Sequence, residues 1–273
     1  MTSVLNDASP PAILEALDQH EREVSATYAR LRGGIVEDGP EVLLYATGLP
    51  AQWANGAKRP RLDRASADAA IERSRRMLDE AGVPGTWVVG PLATPADIGE
   101  RLGRAGFERQ FDLRMMAAPI EALELDGPEP PALRIRRVDS EEAHVEWLRV
   151  MTDGFGMQPE HTRTVDETAR AVGFDGDAPW VRFVGTVDGP AVASAGLMTF
   201  GGLAGIYNVA TVPDARRRGY GAAMTRAALR AARDRGYRVA ILGASDPGRG
   251  IYERMGFREV AMVRQLVYRP RGA

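Results

Sequence analysis

Between Val209 and Gly236 the chain changes its hydrophobic period within a few residues, and this junction limits what it can fold into. Val209-Ala210-Thr211-Val212 is β-branched and apolar, which reads as the end of a strand. Pro213 cannot donate to a ladder and stops it. Gly219 and Gly221 allow a tight turn with exposed backbone. Met224, Ala227, Ala228, Ala231 and Ala232 then recur at helical spacing, with Arg226, Arg230 and Arg233 facing away and Gly236 as a natural stop. The unit is strand, glycine turn, helix. The first turn of a helix carries unpaired N–H groups at the positive end of its dipole, and glycines let a phosphate approach them. Arg216, Arg217 and Arg218 add charge beside that point. A solvated run of arginines would explain the charge but not the glycines or the preceding strand.

Two common phosphate motifs do not fit. The dinucleotide fingerprint needs a third glycine where Met224 stands, and an acidic residue roughly 20 residues on, where Ile241 stands. The P-loop needs a lysine after its last glycine, and Lys58 is the only lysine in the chain.

Another pattern does fit. Arg216-x-x-Gly219-x-Gly221 after Thr211-Val212-Pro213 resembles the R/Q-x-x-G-x-G/A acyl-CoA loop of the GNAT superfamily of N-acyltransferases. Downstream, Tyr252-Glu253-Arg254-Met255-Gly256-Phe257 resembles that family's Y-E-x-x-G-F segment, with a strand at 238–244 between the two. The resemblance implies direct transfer of an acyl group, most often from acetyl-CoA, to an amine; no metal is expected, since His20, His144 and His161 are scattered without ligand spacing. It implies backbone contacts from Val209, Ala210 and Thr211 to the pantetheine arm, and pyrophosphate contacts from the loop Arg216, Arg217, Arg218, Gly219, Tyr220, Gly221 and Ala222. Tyr252 matches the family's general acid, which protonates the departing thiolate. Ser245 stands where the family often has an asparagine beside the cofactor.

The base is less well defined. Many family members carry a glutamate on the strand before the loop; here that strand reads Gly205-Ile206-Tyr207-Asn208, with no carboxylate. An alkyl amine is mostly charged at neutral pH, whereas an α-amine needs less help. Asn208 or Tyr207 can position a water, and Glu160 and His161 are alternatives between two helices. Asn208 is taken as the second catalytic candidate, beside Tyr252. The missing glutamate also keeps open a non-catalytic acyl-CoA-binding or interaction protein of the same fold.

Composition narrows the rest. A net charge of −2 over 273 residues leaves no broad basic surface for nucleic acid. The chain has no cysteine, which rules out a disulfide framework and a thiol nucleophile. No apolar run spans a bilayer, and the segment from Met1 to Asp7 lacks signal-peptide character, so a cytoplasmic protein without membrane partners is expected. The expected partner is a small-molecule or peptide amine, and a monomer is favoured.

Periodicity predicts an α/β fold with mixed sheets, in two GNAT-like domains. Helices are expected at 10–32, 66–81 and 95–105, with strands at 41–45, 85–90 and 111–116, and a loop over 48–61. Leu102-Gly103-Arg104-Ala105-Gly106-Phe107 parallels the segment from Tyr252 to Phe257, so residues 1–125 are read as a degenerate copy without acyl-CoA chemistry. Residues 126–131 are a proline-rich linker and 132–273 the catalytic domain. Within it a strand is expected at 133–138, a helix capped by Ser140, a helix at 162–172, and a hairpin through Asp188-Gly189. A strand over 203–212 leads into the loop; a helix at 247–255 and a strand at 258–268 follow.

Overall fold

The computed structural model describes residues 3–270. Met1, Thr2 and residues 271–273, at the outer ends of the two expected domains, lie outside the described residues. The chain divides into two compact units.

One unit holds Pro10–Met115 and the chain from Val260 on. It contains α1 (Pro10–Leu31), β1 (Ile35–Asp38), β2 (Leu43–Ala46), β3 (Asn55–Lys58), α2 (Ser66–Ala81), β4 (Gly85–Val89), α3 (Ile98–Arg104) and the start of β5 (Glu108–Pro119). β2 pairs antiparallel with β1 and β3, and β3 runs parallel to β4 with α2 as the crossover. Leu44, Ala57, Leu78, Trp87 and Leu102 form its core. The strand β3 lies inside the stretch expected to be a loop. Asn-Gly-Ala-Lys has little strand preference of its own; it is extended because β2 and β4 satisfy its backbone on both sides. The buried Asn55 amide ties that stretch together, donating to Leu49 O, Ala51 O and Pro84 O at 2.9, 3.3 and 2.9 Å.

The other unit holds the residues up to Ser9 and Met116–Glu259. Its elements are the end of β5, then β6 (Leu133–Arg137), α4 (Glu141–Phe155), α5 (Pro159–Val172), β7 (Trp180–Val187), β8 (Ala191–Phe200), β9 (Leu203–Thr211), α6 (Tyr220–Asp234), β10 (Val239–Ala244), α7 (Asp246–Met255) and the start of β11 (Arg258–Tyr268). Strands β6 to β9 form an antiparallel meander, β10 adds parallel to β9, and β5 lies beside β10. The expected hairpin turn is present, with φ of 51° at Asp188 and 111° at Gly189. Ser140 caps α4 as expected, accepting from Ala143 N at 3.3 Å. α5 begins earlier than periodicity suggested because Pro159 occupies its first turn, where a missing N–H costs nothing.

The domain boundary requires correction. The units divide within β5, at Met115/Met116, and not across residues 126–131. The last strand, from Val260 on, belongs to the unit of Pro10–Met115, where Arg264–Tyr268 pairs antiparallel with Val89–Gly85 of β4. The proline-rich segment is not a free linker either. Arg226 of α6 donates to Pro128 O at 2.6 Å, and Arg230 reaches Leu125 O at 2.9 Å and Glu129 Oε1 at 2.5 Å. Arginines expected to face solvent therefore fasten this segment along α6.

The two Gly-Phe segments end their helices in the same way. Phe107 N donates to Leu102 O and Phe257 N to Tyr252 O, both at 3.0 Å, with Gly106 and Gly256 at φ 89° and 109°. This is the left-handed helix ending that only glycine adopts readily, and each phenylalanine is buried behind it.

A buried polar network joins α4, α5 and β7. His144 is fully buried, with Nε2 2.7 Å from Asp166 Oδ1 and Nδ1 3.4 Å from Arg182 Nη1. An arginine only donates, so Nδ1 accepts and the neutral ring carries its proton on Nε2, toward Asp166. Arg182 also donates to Gly173 O, and its guanidinium lies 5.6, 5.4 and 5.2 Å from the ring centres of Trp147, Phe174 and Trp180. Arg170 links Asp166 to Glu141. Burial holds the His144 pKa below its ordinary value, helped by Arg182 and Arg170 and opposed by Asp166. The unfolded chain therefore takes up this proton at higher pH than the folded one. The stability is present above the ordinary histidine value and is lost as pH falls from there through the depressed folded pKa. The thermal midpoint should fall between pH 7 and pH 5, and His144→Gln should flatten that slope; an unchanged slope would assign it to other groups.

Candidate active site

The site forms where β9 changes partners. On one side, β9 and β8 slip register between Tyr207↔Gly196 and Ala210↔Ser194, leaving one extra residue on β9. Asn208 takes up the bulge with φ 56°, a left-handed conformation that asparagine tolerates better than most residues. The bulge inverts the alternation. Ile206 and Val209 both pack toward the α6 core, whereas Ala210 faces Gly154 of α4. On the other side, β9 and β10 pair only from Ala204↔Ala240 to Ile206↔Leu242. Both strands continue, to Thr211 and Ala244, without further pairing. The backbone of Val209, Ala210 and Thr211 thus presents a strand edge to the gap, and an extended ligand with amides can bond to it.

The gap leads to the loop. A short 3-10 turn over Pro213–Ala215 is followed by left-handed residues at Arg217 (φ 60°) and Gly219 (φ 82°), a geometry of the kind that turns N–H groups toward an anion. Gly219 is the N-cap of α6 and has no side chain with which to bond the first amides of the helix, those of Tyr220, Gly221 and Ala222. A Cβ on Gly221 would have only Thr211 Oγ1 and Val209 Cγ1 near it, both at 3.9 Å, so this position has open space in front of it. Arg217 and Arg218 are exposed beside it. Arg218 Nη2 bonds Asp214 O at 3.2 Å, and Arg217 bonds no group among the described residues. An uncapped positive helix end, open space and two exposed guanidiniums fit a diphosphate. Ser245 is exposed at the N-cap of α7, just beyond β10.

The corresponding point of the N-terminal unit is closed. Asp63 Oδ1 accepts from Ala65 N and Ser66 N at 2.8 and 2.6 Å, placing a carboxylate at the start of α2 where a phosphate would need to sit. Beyond β3 and β4 the chain zips together again: Thr94 N donates to Pro60 O at 3.0 Å and Leu62 N to Thr94 O at 3.2 Å. Leu102, the counterpart of Tyr252, is fully buried in the core.

Tyr252 is half-buried on α7 and packs edge-on to Phe257 with ring centres 6.2 Å apart. Gly248, one turn earlier, leaves room for the ring: a Cβ there would be 3.4 Å from Tyr252 Cε2. The hydroxyl of Thr225 lies beside the phenol and donates to Gly221 O, in the first turn of α6, at 2.9 Å. Burial raises the Tyr252 pKa and outweighs the lowering by Thr225, so the phenol keeps its proton. Thr225 was not legible as a site residue in the sequence; it stands among the alanines of an ordinary helix face.

Asn208 folds over Gly196, where a Cβ would be 3.0 Å from Asn208 Oδ1 and 2.9 Å from Trp180 Nε1. Asn208 Oδ1 is buried without a protein partner, so it is an acceptor available to a water or a ligand. Glu160 and His161 stand on the first turn of α5, and no bond joins either to β9 among the described residues. β9 itself carries no carboxylate.

The site is thus a parallel strand pair that parts beside the N-terminus of a glycine-led helix. Residues 134–260, nearly all of them within the C-terminal unit, match the family model described as acetyltransferase (GNAT) domain. A curated relative, the mycothiol acetyltransferase of Rhodococcus jostii (strain RHA1), is 29% identical over 184 residues, which span 63% of this chain and 60% of the relative's length. Among solved structures, a GCN5-related N-acetyltransferase from Kribbella flavida aligns with a TM-score of 0.71 at 18% identity, over 93% of this chain and 96% of that one. A functionally unknown conserved protein from Staphylococcus epidermidis aligns with a TM-score of 0.67 at 16% identity, over 87% of this chain and 95% of that one. At these identities the structures share the mixed α/β fold. No helix among the described residues is long and apolar enough to cross a membrane.

Proposed function

We propose that the protein is an N-acetyltransferase that moves the acetyl group of acetyl-CoA to a primary amine by direct attack. The observation that carries this reading is the parting of β9 from β10 directly above the uncapped start of α6. Acetyl-CoA, when bound, supplies the acetyl thioester. The backbone of Val209–Thr211 holds its amide-bearing arm, and the amides of Tyr220–Ala222 with Arg217 and Arg218 hold its diphosphate. The amine nitrogen forms the new bond to the acetyl carbon as the carbon–sulfur bond breaks. Tyr252 gives its phenolic proton to the departing sulfur. The proton lost by the amine leaves through a water held at Asn208 Oδ1, in the absence of a carboxylate on β9. Such a route suits an amine that is already partly neutral, such as an α-amine.

The acceptor is a small molecule or a peptide. A mycothiol-type acceptor, named for the Rhodococcus relative, belongs in the test panel. The N-terminal unit is read as a degenerate GNAT-like copy, since its β3-α2-β4-α3 order and Gly-Phe helix ending match those of β9-α6-β10-α7. Isothermal titration should find a single acetyl-CoA per chain, which is expected to act as a monomer. Two sites would show that the Asp63 cap and the Thr94 bridge do not exclude the ligand.

The missing carboxylate favours a second reading, an acyl-CoA-binding protein without turnover. Release of free CoA with a panel of amines separates the two: amine-dependent release supports the enzyme, and tight binding without release the alternative.

A further inference from the structure

Arg216 opens the acyl-CoA loop, yet its side chain turns away from the phosphate cradle. Its Nε donates to Thr211 O at 3.2 Å and its Nη2 to Gly154 O at 2.8 Å. Thr211 is the last residue of β9. Gly154 lies in the last turn of α4, whose carbonyls have no partner within the helix and carry the negative end of the dipole. A cation with several donors is well matched to that point.

The contact depends on close packing. A Cβ on Gly154 would lie 2.8 Å from Ala210 Cβ and 3.4 Å from Thr211 N, so only glycine lets the end of α4 settle onto β9. Just beyond it the chain turns into α5. Phe155 is 55% exposed, Gly156 is left-handed at φ 62°, and Met157 N bonds Thr152 O at 3.0 Å. Arg216 thus joins, through one guanidinium, the loop that would grip a diphosphate, the end of the strand that would grip the pantetheine arm, and the α4–α5 turn.

We infer that Arg216 is a positioning residue that couples acyl-CoA binding to the α4–α5 turn, and that its side chain is not a phosphate ligand. The inference rests on the acyl-CoA reading of the loop. A bound diphosphate fixes the backbone from Arg217 to Ala222, and with it the anchor of Arg216. The turn then loses freedom although no part of it touches the phosphates, which is coupling through a shared two-ended contact.

Hydrogen–deuterium exchange with and without acetyl-CoA, alongside isothermal titration, tests this. In the wild type, acetyl-CoA should slow exchange of the amides at 155–158 by about tenfold. Arg216→Met should bind acetyl-CoA within about fivefold of the wild type, consistent with the modest weight of an exposed contact, but lose the slowing in the turn. Arg216→Lys, which can still reach one carbonyl, should restore part of it. Arg217→Met, in contrast, should weaken binding by tenfold or more (about 1.4 kcal/mol). If Arg216→Met weakens binding as much as Arg217→Met, the side chain is a phosphate ligand and the inference falls. If that variant binds normally and the turn is still protected, there is no coupling through Arg216. A wild type that binds no acetyl-CoA would overturn the acyl-CoA reading and the inference together.

Discussion

Gly221→Glu is expected to abolish acetyl-CoA binding and leave the fold intact. The substitution separates the two roles a glycine can have. Gly221 is not needed for packing or for a left-handed φ, since the nearest atoms to an added Cβ are 3.9 Å away and the residue lies within the first turn of α6. A carboxylate near a helix N-terminus also agrees with the dipole, so the unliganded protein should be no less stable. Against a diphosphate the same charge is repulsive. At about 4 Å with an effective dielectric constant of about 20, like charges cost on the order of 4 kcal/mol. Some of that is screened, and a loss of at least about 100-fold in affinity is expected. Gly221→Ala is the control. It should bind within about tenfold of the wild type and melt slightly higher, because alanine loses less backbone entropy in a helix, by about 0.5–1 kcal/mol. Titration calorimetry and thermal melts decide the matter. Full binding by Gly221→Glu would remove the start of α6 from the phosphate site.

If the proposed acetyl transfer holds, Tyr252→Phe is expected to lower kcat by about 100-fold or more with any amine accepted, while the acetyl-CoA Kd stays within about twofold. Phenylalanine keeps the ring against Phe257 and the core, so packing changes little. Only the hydroxyl is lost, and with it the proposed donor to the departing sulfur. The direction of the pKa shift adds a second test. Burial raises the phenol above its ordinary value of about 10, and the active form is the protonated one, so wild-type rates should not decline on this account until pH passes that raised value. An unchanged kcat in Tyr252→Phe would reduce Tyr252 to a packing residue. The Thr225→Val variant should lie between the two, since it removes the hydroxyl beside the phenol and leaves the phenol in place.

Both predictions concern residues legible in the sequence, and they were legible for local reasons. Pro213, Gly219 and Gly221 restrict or free their own backbone, and the alanines of α6 repeat at a spacing set by one helix. The Gly-Phe pairs at 106–107 and 256–257 end their helices through contacts five residues long. Gly196 is an instructive middle case. An isolated glycine in a strand pattern signals a bulge or a close approach, and here both occur, because the register slip lies at Gly196 and Asn208 folds over it. Nothing near Gly196 in sequence names Asn208 as the residue that does so.

The sequence alone determined most of the helices and strands and their order within each half, since these rest on a residue's own φ, its missing N–H, or a period of a few residues. The tertiary structure decided the rest. It made a strand of Asn55–Lys58 by giving that stretch neighbours on both sides. It assigned the last strand to the N-terminal unit by pairing it with β4, and it fastened the supposed linker to α6 through Arg226 and Arg230. It brought Thr225 to Tyr252 and turned Arg216 toward Gly154. All of these join groups far apart in the chain. Buried backbone and side-chain polar groups must find partners somewhere, but which distant group supplies the partner depends on how the whole core packs, and no short window of sequence contains that choice.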